Sequence, residues 1–205
     1  MKSGSFCVKG WPEVRQPSLT VYLADANVLL NLSALGRLDV LRLCADCLGW
    51  RIVVPRCILD EVEGEMSAQD LVVRGVQLVE PEAAIAAKLV LARVQDGISS
   101  RLSDADAELY VRAKETGGTV WTDDGPLVRL LGQKGIPQVH TFAPFLELLE
   151  LGEVESRDVL ECGRRLAELN PRFTAGNLED LVRKVHATEA SLAEGVHGAA
   201  MEKKF

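Results

Sequence analysis

Val21-Tyr22-Leu23-Ala24-Asp25-Ala26-Asn27-Val28-Leu29-Leu30 is the stretch that decides the fold. A short run rich in β-formers ends on a carboxylate, and a helical spacing of apolar residues starts just beyond it. Parallel α/β sheets present polar residues in this way, at the carboxyl ends of strands, where they hold ligands. The stretch predicts a strand over 21–24 and a helix over 28–35, with Gly36 placed to stop it.

The same alternation continues outward. Asp39 is placed to cap a helix reaching about residue 48. Residues 51–54 read as a second strand, and Pro55 opens a helix carrying Ile58, Leu59 and Val62. A third strand over 76–79 ends at Pro81, and the Ala- and Leu-rich segment 83–94 reads as a helix. After a loop at 96–100 come a helix over 104–116, ended by Gly117-Gly118, and a fourth strand over 119–122. A helix over 126–134, stopped by Gly135, leads to a fifth strand over 138–141. The pattern predicts an α/β fold, a three-layer αβα sandwich around a small parallel sheet.

Beyond Ala143 the strand signal ends. Residues 145–151, 157–169 and 178–192 read as helices, the last with an apolar stripe at Leu178, Leu181, Val182 and Val185. The chain divides into an irregular arm (1–18), a sheet domain (19–142) and a helical C-terminal extension (143–205). The extension is expected to pack on the sheet domain or on a partner.

Composition narrows the class. The 205 residues are 47% hydrophobic, as in a globular protein with a real core. No apolar run reaches the roughly 18 residues a membrane span needs. Residues 1–17 contain no apolar segment of a secretory signal, so a cytoplasmic location is expected. The five cysteines, Cys7, Cys44, Cys47, Cys57 and Cys162, are odd in number and irregular in spacing, which argues for reduced thiols. Cys44 and Cys47 lie in a helical apolar pattern with no second Cys or His pair to match, so they read as buried helix cysteines rather than a zinc or redox motif. A net charge of −7 disfavours an open, non-specific nucleic-acid binder. If four acids hold a metal, −3 of that −7 remains for the rest of the chain.

Four acids stand at strand-to-helix junctions: Asp25, Glu61, Asp106 and Asp124. All strands of a parallel sheet share a direction, so these junctions emerge on one edge. Clustered carboxylates repel, and such a cluster usually implies a hard cation such as Mg²⁺ or Mn²⁺. Each acid also fits a plainer role. Asp25 could cap the helix after it. Asp106, three residues after Ser103, fits a capping box, and Asp123 or Asp124 could cap the helix at Pro126. Glu61, with Asp60, Glu63 and Glu65 around it, could belong to a solvated acidic face.

The motifs Asp25-Ala-Asn27, Pro55-x-x-x-Leu59-x-Glu61, Leu102-Ser103-x-x-Asp106-Ala107 and Thr122-x-Asp124 resemble, in order and spacing, those of the PIN domain family. The resemblance covers about residues 20–142. It implies a small parallel sheet between helices and, in many members, an Mg²⁺- or Mn²⁺-dependent ribonuclease, often the toxin of a toxin–antitoxin pair. Carried onto this sequence, it gives an acidic quartet of Asp25, Glu61, Asp106 and Asp124, supported by Asn27, Asp104, Thr122 and Asp123. Asp104 stands as an alternative to Asp106, and Asp123 to Asp124. The helices beyond about Phe145 depart from the compact toxin pattern.

Arg101, Arg112, Arg129 and Lys134 flank these motifs and are candidate phosphate contacts. The expected partners are an RNA substrate, an antitoxin protein and a second copy of the chain, with no membrane. A binding or regulatory module with weak catalysis, acting through the helical tail, is the competing expectation. A flap-endonuclease type of DNA nuclease shares the acidic layout but carries inserted arches that 205 residues hardly accommodate. No phosphate-binding GxxxxGK[ST] loop occurs, and His140, His186 and His197 lack zinc-like spacing. Asn27 stands where a haloacid-dehalogenase-like phosphatase needs a second Asp. The acidic pair and late Lys of receiver domains are also missing.

Overall fold

β1 (Val21–Ala24) is the middle strand of a five-stranded, all-parallel sheet. The computed structural model describes residues 20–202, with side chains to Glu194. The expected arm, residues 1–18, lies outside the described residues. β1 pairs with β2 (Arg51–Pro55) on one side and β4 (Thr119–Trp121) on the other. β3 (Gln77–Val79) lies outside β2, and β5 (Gln138–Val139) outside β4, giving the order 3-2-1-4-5. Leu23 stands in register between Val53 and Val120, and all three are buried. A strand covered on both faces has no solvated side and must be apolar throughout.

α1 (Ala26–Ala34) and α2 (Asp39–Cys47) join β1 to β2, and α3 (Arg56–Val62) and α4 (Ala68–Val72) join β2 to β3. α5 (Ile85–Gln95) and α6 (Asp104–Thr116) lead to β4, and α7 (Gly125–Lys134) to β5. Right-handed crossovers place the helices on the β1-to-β3 path on one face and those on the β3-to-β5 path on the other. The fold is the three-layer α/β sandwich expected, with helices following the sheet. α6 packs on β1 and β4, with α5 against it. Gly117 and Gly135, at φ of 65° and 67°, end α6 and α7 in the left-handed conformation that a side chain would strain.

Three local expectations need correction. α4 is an additional helix, nucleated by a reciprocal capping box in which Ser67 and Asp70 satisfy each other's backbone N–H. Asp39 does not cap α2. Leu38 holds that position, and Asp39 sits inside the first turn paired with Arg37 at 3.0 Å. Of the two helix cysteines, Cys44 is buried but Cys47 is exposed; all four described cysteines are free thiols.

α8 (Ala143–Glu150), α9 (Ser156–Leu169) and α10 (Ala175–Glu202) form the extension. α8 packs on α2, α9 touches α1, and α10 lies across α8 and α9. Phe145, Leu148, Val159, Leu166, Leu181 and Val185 join the same hydrophobic core as the sheet. The extension therefore packs on the sheet domain, the first of its two expected placements. A Cβ at Gly163 would lie 2.6 Å from Leu181 Cδ2, so a glycine is what lets α9 approach α10 there. Among the described residues no helix is long and apolar enough to cross a membrane.

Candidate functional site

The order 3-2-1-4-5 places a topological switch between β1 and β4, whose outgoing chains leave toward opposite faces. Open parallel sheets bind ligands in the crevice at such a point. Asp25 sits there. Its backbone N–H donates to Trp121 O at 3.0 Å, carrying the β1–β4 ladder one residue further. Its carboxylate is almost wholly buried, at 2% exposure. Oδ2 accepts from the Thr122 hydroxyl at 2.6 Å and from Asn27 Nδ2 at 3.3 Å. Asp25 occupies the N-cap position of α1, yet its side chain makes no capping bond. The plain capping role is therefore absent.

Two more acids bear on Asp25. Burial pushes the Asp25 carboxyl above the usual range, the Thr122 bond opposes this, and the charge of Asp106 adds to it. Glu61, on α3, is raised first by burial and then by Asp25 and Asp106. Asp25, Glu61 and Asp106, from three distant segments, are thus within electrostatic reach of one another. None of them forms an ion pair with a described Lys or Arg. Asp106 also completes a capping box, its Oδ2 accepting from Ser103 N at 3.0 Å. Asp104 turns the other way. Its side chain, 83% exposed, pairs with Arg93 at 2.8 Å, so it does not replace Asp106 in the trio.

Neither candidate for the fourth acid joins them. Asp124 caps α7, accepting from Leu127 N at 2.8 Å, and its own N–H donates to the Thr122 hydroxyl at 3.0 Å. Asp123 accepts from Asn31 Nδ2 at 3.0 Å, from Thr141 N at 2.9 Å and, at closer range, from the Thr141 hydroxyl. Among the described residues no three His, Cys, Asp or Glu side chains stand ready to hold a metal ion.

The four basic candidates separate. Arg112 is buried in an ion pair with Glu108, Nε to Oε1 at 2.7 Å, with the two side chains 8% and 6% exposed. It is spent inside the fold and cannot meet a phosphate. Lys134 lies in the last turn of α7, roughly 14 Å along the axis from the end that carries Asp124. Its charge is felt instead by Asp96. Arg112 is a correction to the sequence reading. Arg129 folds back over the start of α7, where a Cβ on Gly125 would meet its Nη1 at 3.6 Å. Arg101 is exposed in the loop before α6.

Asn31, Thr141 and Asn170 form a network that the sequence reading missed. Asn170 Nδ2 donates to Asn31 Oδ1 at 3.1 Å, and Asn31 Nδ2 donates to Asp123 and to Thr141 Oγ1. This ties the loop between α9 and α10 to the edge of the sheet. The available signal was Asn31, a polar residue one turn after Asn27 on an otherwise apolar helix face. A cavity of about 450 Å³ between α3 and α4 contains none of the acid trio, so cavity size alone does not locate the site.

Compared with known proteins, the chain matches no family model, and no curated protein aligns with it.

Proposed function

We propose that this chain is a metal-dependent endoribonuclease that hydrolyses RNA phosphodiester bonds at Asp25, Glu61 and Asp106. One observation carries the reading. A carboxylate buried at the switch point of the sheet has two further acids bearing on it, and none of the three forms an ion pair with a described Lys or Arg. Uncompensated buried charge is costly, and an external cation is the usual remedy.

The donor set is all oxygen, which fits Mg²⁺ or Mn²⁺. Thr122 and Asn27 both bind Oδ2 of Asp25, leaving Oδ1 without a hydrogen-bonding side chain. Asp106 likewise engages Oδ2 in its cap. Three carboxylates that repel one another stand apart, and a cation is what would draw them together. When bound, the metal would lower the pKa of a coordinated water and stabilise the leaving oxygen. Thr122 and Asn27 fix the orientation of Asp25, and Arg129 and Arg101 supply positive charge for the phosphate.

The test is cleavage of a labelled RNA by wild type and Asp25→Asn, in Mn²⁺ and in chelator. Metal-dependent cleavage lost in the variant supports the reading; cleavage that survives in chelator, or in the variant within tenfold, rejects it. A toxin role belongs to the same proposal, and rescue of growth by co-expression of the product of a neighbouring reading frame would test it. Free thiols suit the reducing cytoplasm proposed as its setting. The competing reading, a module without catalysis, draws on the absence of a ready three-donor group among the described residues. No metal-dependent cleavage by wild type would favour it.

A further inference from the structure

A cleft of about 260 Å³ opens beside the acids, between the carboxyl edge of the sheet and α10. Asn27 and Asp123 line its inner wall, and Arg172, Phe173, Asn177 and Lys184, all from the C-terminal extension, line the outer one. We propose that this cleft seats one nucleotide of the RNA strand next to the phosphodiester presented to Asp25, with its base against Phe173. The inference rests on the nuclease reading above.

The cleft and the acids share a wall. Asn27 lines the cleft, and its Nδ2 donates to Asp25 Oδ2 at 3.3 Å. A strand held in the cleft is therefore delivered to the acid trio. The outer wall is fixed to the inner one. Asn170 Oδ1 accepts from Arg172 N at 2.9 Å, and Asn170 Nδ2 donates to Asn31, which holds Asp123. The loop that carries Arg172 and Phe173 thus keeps its place relative to the site.

The lining suits a base more than a bare phosphate. Its charges balance, with Asp123 and Asp180 against Arg172 and Lys184, and Asp180 already holds Lys184 at 2.7 Å. Phe173 is half-buried and braced by Phe142, with ring centroids 5.4 Å apart. A fixed, partly open aromatic ring is the surface on which unpaired RNA bases stack. Two amides retain free hydrogen-bonding capacity. Asn177 uses Oδ1 on Thr174 N at 2.8 Å and on its hydroxyl at 2.7 Å, leaving Nδ2 as a donor. Asn27 uses Nδ2 on Asp25, leaving Oδ1 as an acceptor. One donor and one acceptor match the edge of a base. The Arg172 guanidinium makes no hydrogen bond or ion pair with the described residues and is free for a flanking phosphate.

The test uses the full chain and a single-stranded oligoribonucleotide with a 5′ fluorophore. Binding is read by anisotropy in chelator, apart from cleavage, and cleavage of the same oligonucleotide is read in Mn²⁺. Phe173→Ala is expected to weaken binding roughly tenfold, the effect of losing one base–aromatic stack. Arg172→Ala and Asn177→Ala, both at exposed positions, should weaken it by smaller factors, and all three should raise KM more than they lower kcat. Phe173→Leu keeps apolar bulk against Phe142 and should still lose affinity, which separates stacking from folding. If wild type cuts RNA but all four variants keep its Kd and KM, the cleft proposal is overturned and the nuclease reading stands. If wild type binds but does not cut, the nuclease reading fails, and the variants' Kd values still decide whether the cleft holds the strand. If wild type does not bind, both are overturned.

Discussion

The Thr122 hydroxyl donates to Oδ2 of Asp25 at 2.6 Å, joining the ends of two adjacent strands across 97 positions of sequence. A hydrogen bond to a charged group contributes about 1.5–3 kcal/mol. Thr122→Val removes the donor at nearly constant volume and should lower Mn²⁺-dependent cleavage by roughly 10–100-fold. Thr122→Ser retains the hydroxyl and should recover most of the activity. Equal rates in Thr122→Val and wild type would show that the bond does not position Asp25.

The raised pKa values of Asp25 and Glu61 make the metal-free protein sensitive to pH. A group whose folded pKa lies above its unfolded value stabilises the fold below the unfolded pKa and loses that contribution as pH rises through the folded one. Unfolded values are 3.8 for Asp and 4.5 for Glu, so the site costs stability progressively above this range. Acids with lowered pKa, such as Asp70 and Asp96, act in the opposite direction, so the comparison must be made against a variant. In chelator, Asp25→Asn should melt at a higher temperature than wild type at pH 7, and the gap should shrink toward pH 4. Mn²⁺ at about a hundred times its Kd should stabilise wild type by about 2.7 kcal/mol and the variant far less. A variant that melts below wild type in chelator at pH 7 would mean that the Asp25 charge stabilises the metal-free fold.

Glu108 and Arg112 form the buried ion pair of α6. Removing one partner leaves an uncompensated charge, a loss of about 3–5 kcal/mol. Arg112→Met should therefore lower the melting temperature by about 6–20 °C for a domain of this size. Glu108→Leu combined with Arg112→Met should restore much of it. Where the single variant is still folded, its KM for RNA should equal that of wild type. A raised KM in the well-folded double variant would return Arg112 to the phosphate contacts.

A chain ending at Gly152 loses α9 and α10, and with them the core residues Val159, Cys162, Leu166, Leu181 and Val185. Phe145, which lies in the same core, and the α1 surface under α9 would face water. Each large apolar side chain newly exposed costs about 1.5–3 kcal/mol, so the shortened chain should aggregate. A monodisperse peak in size-exclusion chromatography with a cooperative melt would show instead that the sheet domain folds alone.

The sheet was legible because its strands are short, apolar and punctuated. β1 and α6 fall where the pattern puts them, and Gly117 and Gly135 end their helices as read. α4 was missed because five residues are too few to show a period; its Ser67-x-x-Asp70 cap was the only signal. Arg112 was misread because a Glu–Arg pair four apart on a helix looks the same in sequence whether it faces water or the sheet. Asp25, Glu61 and Asp106, read from their junctions, do come within electrostatic reach of one another, but Asp123 and Asp124 could not be told from caps, since capping and metal binding call for the same residue at the same turn. The Asn31–Asn170 contact spans 139 positions, and no local pattern announces it.

The central place of β1 also sets the order in which a ribosome can complete the protein. β2 reaches β1 early, but the other edge of β1 stays open until β4 has emerged. At about 5–20 residues per second, the 97 positions between Asp25 and Thr122 take about 5–20 s to translate. Through that interval the nascent chain carries an unpaired apolar strand edge, the kind of surface that chaperones cover. It also carries an Asp25 without the hydroxyl that orients it. On the proposed nuclease reading, a ribosome-bound chain stalled before Thr119 should therefore cut no RNA.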